Sequence, residues 1–277
     1  MFTYIDNLED LSFLNKELLE RPYLGVDTEF RRTTKNNMKL ALLQVNDGEE
    51  IYLIDAILIG NPENECGFLF SESVIKIFHS CKEDLEAIHS WTGKIMDNLF
   101  DTQLANALLD GEYSIGYQGL VKEKLEIDLN KQETRSNWMR RPLSDSQLTY
   151  AAMDVEYLIY LFLEQEKELV KANKIHWHNE EVNSLTSLTF DPINEDDVIQ
   201  SKLNKTEENN LLFKFNEIVI SIAKKEAVNP TLLFSKKSQK EFLRRVLNHG
   251  FKDASKFITN WRKDLIKVPL EKLILEL

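Results

Sequence analysis

Apolar runs of strand length alternate with capped segments of helix length through the first part of this chain, and then the alternation stops. That interleaving constrains the fold most, because strands separated by helices pack as an α/β or α+β layered domain. Asn7 precedes the periodic stretch LEDLSFLNKELLE, which predicts a capped helix, with Pro22 close behind. YLGVDTEF follows as a short strand. KLALLQV and EEIYLIDA read as two strands joined by a tight turn at Asn46–Gly48. VIKIF, residues 74–78, suits a buried strand. Ser80 and Glu83 form an S-x-x-E capping box, which predicts a helix from about Cys81. Asp101 is placed to cap TQLANALLD. Ser144 and Gln147 form a second box, and the helix behind it is expected to run to about Val170 with Leu148, Ala152, Val155, Ile159 and Phe162 on its apolar face.

After residue 185 the pattern changes. Residues 186–208 are largely polar and acidic and read as a linker, while 209–277 read as helix with a break at Pro230 and a stop at Gly250. Charge divides in the same way. The net is −12 overall, but residues 201–277 carry 16 Lys and Arg against 9 Asp and Glu. An acidic domain followed by a basic one is the expected organisation. Two cysteines, Cys66 and Cys81, make no disulfide framework, and a reducing cytoplasm is the expected compartment. The N-terminus has neither a basic leader nor a long apolar run, so no signal peptide is expected, and no stretch approaches the roughly 20 apolar residues of a membrane span.

The chemistry is carried by acids. In the strand VDTEF, Asp27 and Glu29 share a face with Thr28 opposite. Two carboxylates that close repel, and solvent exposure or a shared cation relieves the repulsion. The apolar flanks, Leu24–Val26 and Phe30, favour burial. Tyr150 and Asp154 stand at i and i+4 on one helix face, and Ala151 and Ala152 let that helix approach a sheet closely. Asp84 lies in the first turn of its helix, where the dipole favours an acid without any function. Each signal alone also fits a surface pair or a structural acid. Together they supply hard oxygen ligands from separate elements, as Mg²⁺ or Mn²⁺ prefers. Two such ions about 4 Å apart can clamp the attacking and leaving oxygens of a phosphodiester.

VDTEF, FHSCKEDL, FDTQLA and WMRRPLSDSQLTYAAMDVEYL, in that order and spacing, resemble the ribonuclease D family of the DEDD exonuclease superfamily, in the branch with a tyrosine in the last motif. The resemblance covers residues 1–185. It implies a ribonuclease H-like mixed sheet flanked by helices, and an enzyme with two divalent ions, Mg or Mn. Asp27 would bridge both ions, Glu29 and Asp154 would complete the first site, Asp84 would hold the second, and Tyr150 would orient the attacking water. Cleavage would run 3′→5′ from a single-stranded RNA end, releasing nucleoside 5′-monophosphates, with tRNA precursors as the implied substrate class. Residues 209–277 resemble one helicase-and-RNase-D C-terminal (HRDC) domain where the family carries two, giving a small all-α second domain.

Substrate contacts are expected at His79, from the family's H-x-x-x-x-D spacing, and at Phe30, Gln44 and Arg135, each with a structural alternative. Trp138, Arg140 and Arg141 lie near Arg135 in a cation-rich stretch that fits either an RNA-backbone contact or a salt-bridged loop. In the basic region Lys236, Lys237, Lys240, Arg244 and Arg245 are candidates for gripping a phosphate backbone. No membrane and no obligate protein partner are expected. The alternatives are a DNA 3′→5′ exonuclease, since the metal site does not read the sugar, and a catalytically inactive RNA-binding protein.

Overall fold

The computed structural model describes residues 2–34, 37–129, 136–191 and 200–275. The chain divides into two compact units, residues 1–103 with 115–167, and residues 104–114 with 168–277. The elements, in chain order, are β1 (Phe2–Ile5), α1 (Leu8–Leu18), β2 (Tyr23–Thr34), β3 (Asn37–Asn46), β4 (Ile51–Ile54), α2 (Ala56–Ile59), β5 (Ile75–Phe78), α3 (Lys82–Thr92), β6 (Leu99–Asp101), α4 (Thr102–Leu108), α5 (Tyr117–Leu125), α6 (Asp145–Glu156), α7 (Leu158–Lys171), α8 (Ile175–Phe190), α9 (Lys205–Glu226), α10 (Pro230–Leu233), α11 (Lys236–His249), α12 (Phe251–Ala254) and α13 (Asn260–Leu275). Among the described residues no helix is long and apolar enough to cross a membrane.

The first unit is built on a six-stranded mixed sheet in the order β1-β4-β3-β2-β5-β6. The central β2–β3–β4 meander is antiparallel, while β1, β5 and β6 add in parallel. The expected β3–β4 turn forms for local reasons. Gly48 takes φ +93, its amide bonds Asn46 Oδ1 at 2.8 Å, and the Asp47 carboxylate accepts from the Glu49 and Glu50 amides at 2.9 and 2.8 Å. Helix α6 packs on β2, β3 and β4, its Ala151 joining Ala41, Leu42, Leu53, Trp138 and Leu143 in one buried cluster.

Two features bring α6 close to the sheet. Asn46 Nδ2 donates to Val155 O at 3.0 Å. Gly25 leaves room, since a Cβ there would stand 3.1 Å from Leu158 Cβ and 3.3 Å from Val155 O.

Two local expectations are corrected. The helix from Ser144 does not run on to Val170 but breaks at Tyr157, whose amide donates to the Tyr117 hydroxyl at 2.9 Å while that hydroxyl donates to Met153 O at 3.2 Å. A tyrosine 40 residues away thus supplies what the next turn of helix would have supplied. The Ser80–Glu83 box does not form either. Ser80 takes φ +65, outside the extended region an N-cap requires. Its amide and that of Cys81 instead bond the Asp101 carboxylate at 3.2 and 2.9 Å. Asp101 also accepts from Gln103 N at 2.8 Å, so it caps its own helix as expected and anchors the start of α3 besides.

The second unit is helical. Helix α9 begins with a capping box of Asn204 and Glu207, inside the expected linker, and α8 extends into that linker from the other side. Phe215, Phe234 and Phe242 pack together in its core. The Lys174 ammonium donates to Leu108 O and Ala227 O at 2.8 and 2.7 Å, capping the ends of α4 and α9.

Candidate active site

The middle of β2 carries Asp27 and Glu29, α3 presents Asp84 from its first turn, and α6 presents Tyr150 and Asp154. These five residues are brought into mutual influence. Burial first, then Asp84, Asp154 and Glu29 in turn, push the Asp27 carboxyl well above the usual carboxylate range. Burial, then Asp154 and Asp84, push Glu29 up to about 9. Burial also raises Asp84 and Asp154, each to about 7, against hydrogen bonds from Thr28 and Tyr150 respectively that hold them down. The Tyr150 hydroxyl bonds Asp154 across the expected i,i+4 step, and its own pKa is raised by burial and by Asp154 and Glu29.

A set of acids that disfavour one another's charge is stabilised by divalent cations, and carboxylate oxygens are the donors that Mg²⁺ or Mn²⁺ takes. The donor chemistry therefore fits such ions. Among the described residues no group of three or more His, Cys, Asp or Glu side chains is already gathered as a ready ligand set.

Supporting contacts fix the acids. The Thr28 hydroxyl donates to Asp84 Oδ1. Thr28 thus has a role at the site that strand alternation alone concealed. Trp138 is 6% exposed and packs its ring 6.1 Å from that of Tyr150, so it holds the tyrosine within the core cluster. Arg141 forms an ion pair with the buried Asp55 and donates to Ala41 O at 2.8 Å and Trp138 O at 2.7 Å. Of the two readings open for that stretch, Arg141 takes the salt-bridged one.

His79 is engaged at both ring nitrogens, Nδ1 with Thr102 Oγ1 at 2.8 Å and Nε2 with Ile115 O at 2.9 Å. Burial depresses its pKa, and its two bonds make the ring a brace from the end of β5 to the start of α4 and the segment before α5. Phe30 is half-buried beside Glu29 on β2. Gln44 is fully buried on β3, directly opposite Asp27. Arg135 lies outside the described residues. In the second unit Lys236, Lys237 and Lys240 are exposed. Arg244 is bound to Glu208 through Nε at 2.5 Å and Nη2 at 3.1 Å, and Arg245 lies over the Phe257 ring at 3.9 Å.

Comparison with known proteins bears on the fold and the family. Ribonuclease D of Pseudomonas paraeruginosa is 44% identical over 154 residues, 56% of this chain and 41% of its own length. The match thus spans less than half of that relative. Among solved structures, Escherichia coli RNase D, an exoribonuclease involved in structured RNA processing, superposes with TM-score 0.67 at 22% identity, covering 99% of this chain and 74% of that one. Brucella melitensis NrnC with bound Mg²⁺ superposes with TM-score 0.59 at 23% identity, over 72% of this chain and 98% of that one. Both likenesses are of fold. The family model described as 3′-5′ exonuclease matches residues 2–170, which takes in all five site residues, and the chain belongs to that family.

Proposed function

We propose that this chain is a metal-dependent 3′→5′ exoribonuclease of ribonuclease D type, and that Asp27, Glu29, Asp84 and Asp154 hold two divalent ions, Mg or Mn. The observation that carries the reading is the convergence of four acids from β2, α3 and α6, with Asp84 and Asp154 both disfavouring the charge of Asp27 and Glu29, beside a tyrosine hydrogen-bonded to Asp154. Divalent ions supply charge stabilisation at the phosphodiester and a nucleophile at neutral pH. The chain's own residues do the rest. Thr28 holds Asp84, Tyr150 holds Asp154, and the Tyr150 hydroxyl orients the attacking water.

Substrate is RNA with an unpaired 3′ end, because a base must be unstacked to reach a half-buried acid cluster. The products are nucleoside 5′-monophosphates, and tRNA precursors are the proposed class. The exonuclease domain is taken as residues 1–185 and the HRDC-like domain as 209–277, the latter gripping phosphate through Lys236 and Lys237. The proposed compartment is the cytoplasm. The NrnC likeness, a relative of this fold that binds Mg²⁺, supports the cofactor class.

The test is hydrolysis of a 5′-labelled RNA by purified protein with Mn²⁺, with Mg²⁺ and with chelator. Stepwise shortening from the 3′ end that requires metal and is lost in Asp27→Ala is the expected result. Metal-dependent hydrolysis retained in folded Asp27→Ala would refute the reading. A DNA oligonucleotide of the same sequence, run alongside, decides between RNA and DNA as substrate.

A further inference from the structure

Gln44 lies within β3 among apolar neighbours, and Leu42, Leu43 and Val45 around it are fully buried, as it is. Both its Nε2 and its Oε1 are buried without a hydrogen-bond partner. Asn106, Gln165 and Arg262 also have one orphaned atom each, but each bonds through another: Asn106 Nδ2 to Glu112 O at 3.1 Å, Gln165 Nε2 to Thr102 O at 3.0 Å, and Arg262 Nη2 to Glu181. Among the described residues Gln44 alone has both ends of its side chain unmatched. An apolar residue of the same size would fill this position without the desolvation cost of an unpaired amide.

The strand register identifies the partner. Gln44 pairs with Asp27 on β2 and with Leu53 on β4. Opposed residues on antiparallel strands share a face with Cβ atoms about 4.5–5.5 Å apart. Leu42 and Leu53 offer no polar atom. Asn46, next along the same face of β3, directs its amide to Val155 O and Glu156 O at 3.0 and 3.2 Å. Asp27 is the ionisable group opposite the orphaned amide.

We propose that Gln44 is a positioning residue for Asp27, its carboxamide N–H donating to that carboxylate when a divalent cation is bound. This rests on the reading of Asp27 as a cation ligand. A neutral donor suits the task. It fixes the direction of a carboxylate oxygen without adding a positive charge that would compete with the ion, as a lysine would. Partners of this kind behind metal ligands commonly contribute 10- to 100-fold in metal affinity.

The experiment is calorimetric titration of the 277-residue chain with Mn²⁺ alone, in wild type, Gln44→Met and Gln44→Leu, together with thermal unfolding of each in chelator. The expected result is a loss of about 10-fold or more in Mn²⁺ affinity with a melting temperature in chelator that is unchanged or higher. Affinity within about twofold of wild type would overturn the proposal, since the amide then does nothing for the acid. Lower melting temperatures in chelator for both variants would also overturn it, because the amide is then paired structurally without metal. Absence of Mn²⁺ binding in wild type would refute the cation reading of the site itself, a distinct failure.

Discussion

Asp154→Asn removes one charge from the acid cluster and keeps the shape of the side chain, so it should stabilise the protein when no divalent ion is present. The magnitude follows from the site. Asp154 is raised from 3.8 to about 7, chiefly by burial. At about 1.4 kcal/mol per pKa unit, ionising it at pH 8 opposes folding by at most about 4 kcal/mol. The asparagine amide is also costly to bury, which leaves a net gain of about 1–3 kcal/mol. For a domain of this size that is a rise in melting temperature of roughly 3–10 °C. Tyr150 can still donate to the asparagine oxygen, so its hydrogen bond survives.

The sign with pH is fixed by the same shift. The unfolded acid ionises near 3.8 and the folded one near 7. Between these values the unfolded state binds fewer protons, and stability falls as pH rises. The gain from asparagine is therefore small near pH 4 and complete above pH 7. Calorimetric unfolding in chelator at both pH values measures it. Mn²⁺ should then raise the melting temperature of wild type more than that of the variant. An Asp154→Asn protein that is less stable than wild type at pH 8 in chelator, or equally stabilised at pH 4, would refute the account of Asp154 as an acid whose charge is disfavoured by burial.

Other outcomes follow from single contacts. Arg141→Met should destabilise by about 3–5 kcal/mol in urea unfolding, because it strands the Asp55 carboxylate. Burial pushes Asp55 up, but bonds from Arg141, Tyr4 and the Leu58 amide outweigh it and hold the acid below its ordinary value. Gly25→Ala should weaken activity more than stability, because a Cβ 3.1 Å from Leu158 pushes on the junction that follows Asp154. A kcat equal to wild type would contradict that. Lys76 is fully buried, and burial lowers it to about 8 from 10.5. The unfolded state binds the extra proton between those values, so stability should rise from pH 8 to 10.5 in wild type and less so in Lys76→Met, as urea midpoints would report.

The parts of the site that were legible from sequence are those set by local geometry. Strand period put Asp27 and Glu29 together, and helix period put Tyr150 beneath Asp154. The Asn46–Gly48 turn and the Ser144–Gln147 box formed as local chemistry dictates. What was not legible depends on groups distant in the chain. Tyr117 breaks the helix at Tyr157, and Asp101 displaces Ser80 as the cap of α3. Arg141 looked as available to RNA as Arg140 until Asp55, 86 residues away, claimed it. Thr28 was assigned by alternation to the face away from the acids, and only the placement of α3 gives its hydroxyl an acid to bind. Composition was a poor guide as well. A net charge of −12, taken alone, disfavours a polyanionic partner, yet residues 2–170 match a 3′-5′ exonuclease family.

The Asp101 carboxylate has a practical consequence for mutational scanning. It accepts from three backbone amides, at Ser80, Cys81 and Gln103, and so sets where α3 begins and where Asp84 stands. An alanine at position 101 would unfasten that helix start and should depress turnover through the placement of Asp84 alone. A screen that scores activity alone would rank Asp101 as a fifth acid of the centre. Secretion of the error into sequence-based assignments is easy, because FDTQ sits between the second and third motifs like a motif of its own. Measuring divalent affinity and melting temperature on the same variants would sort fasteners from ligands. In chelator, losing a ligand should stabilise the protein and losing a fastener should destabilise it.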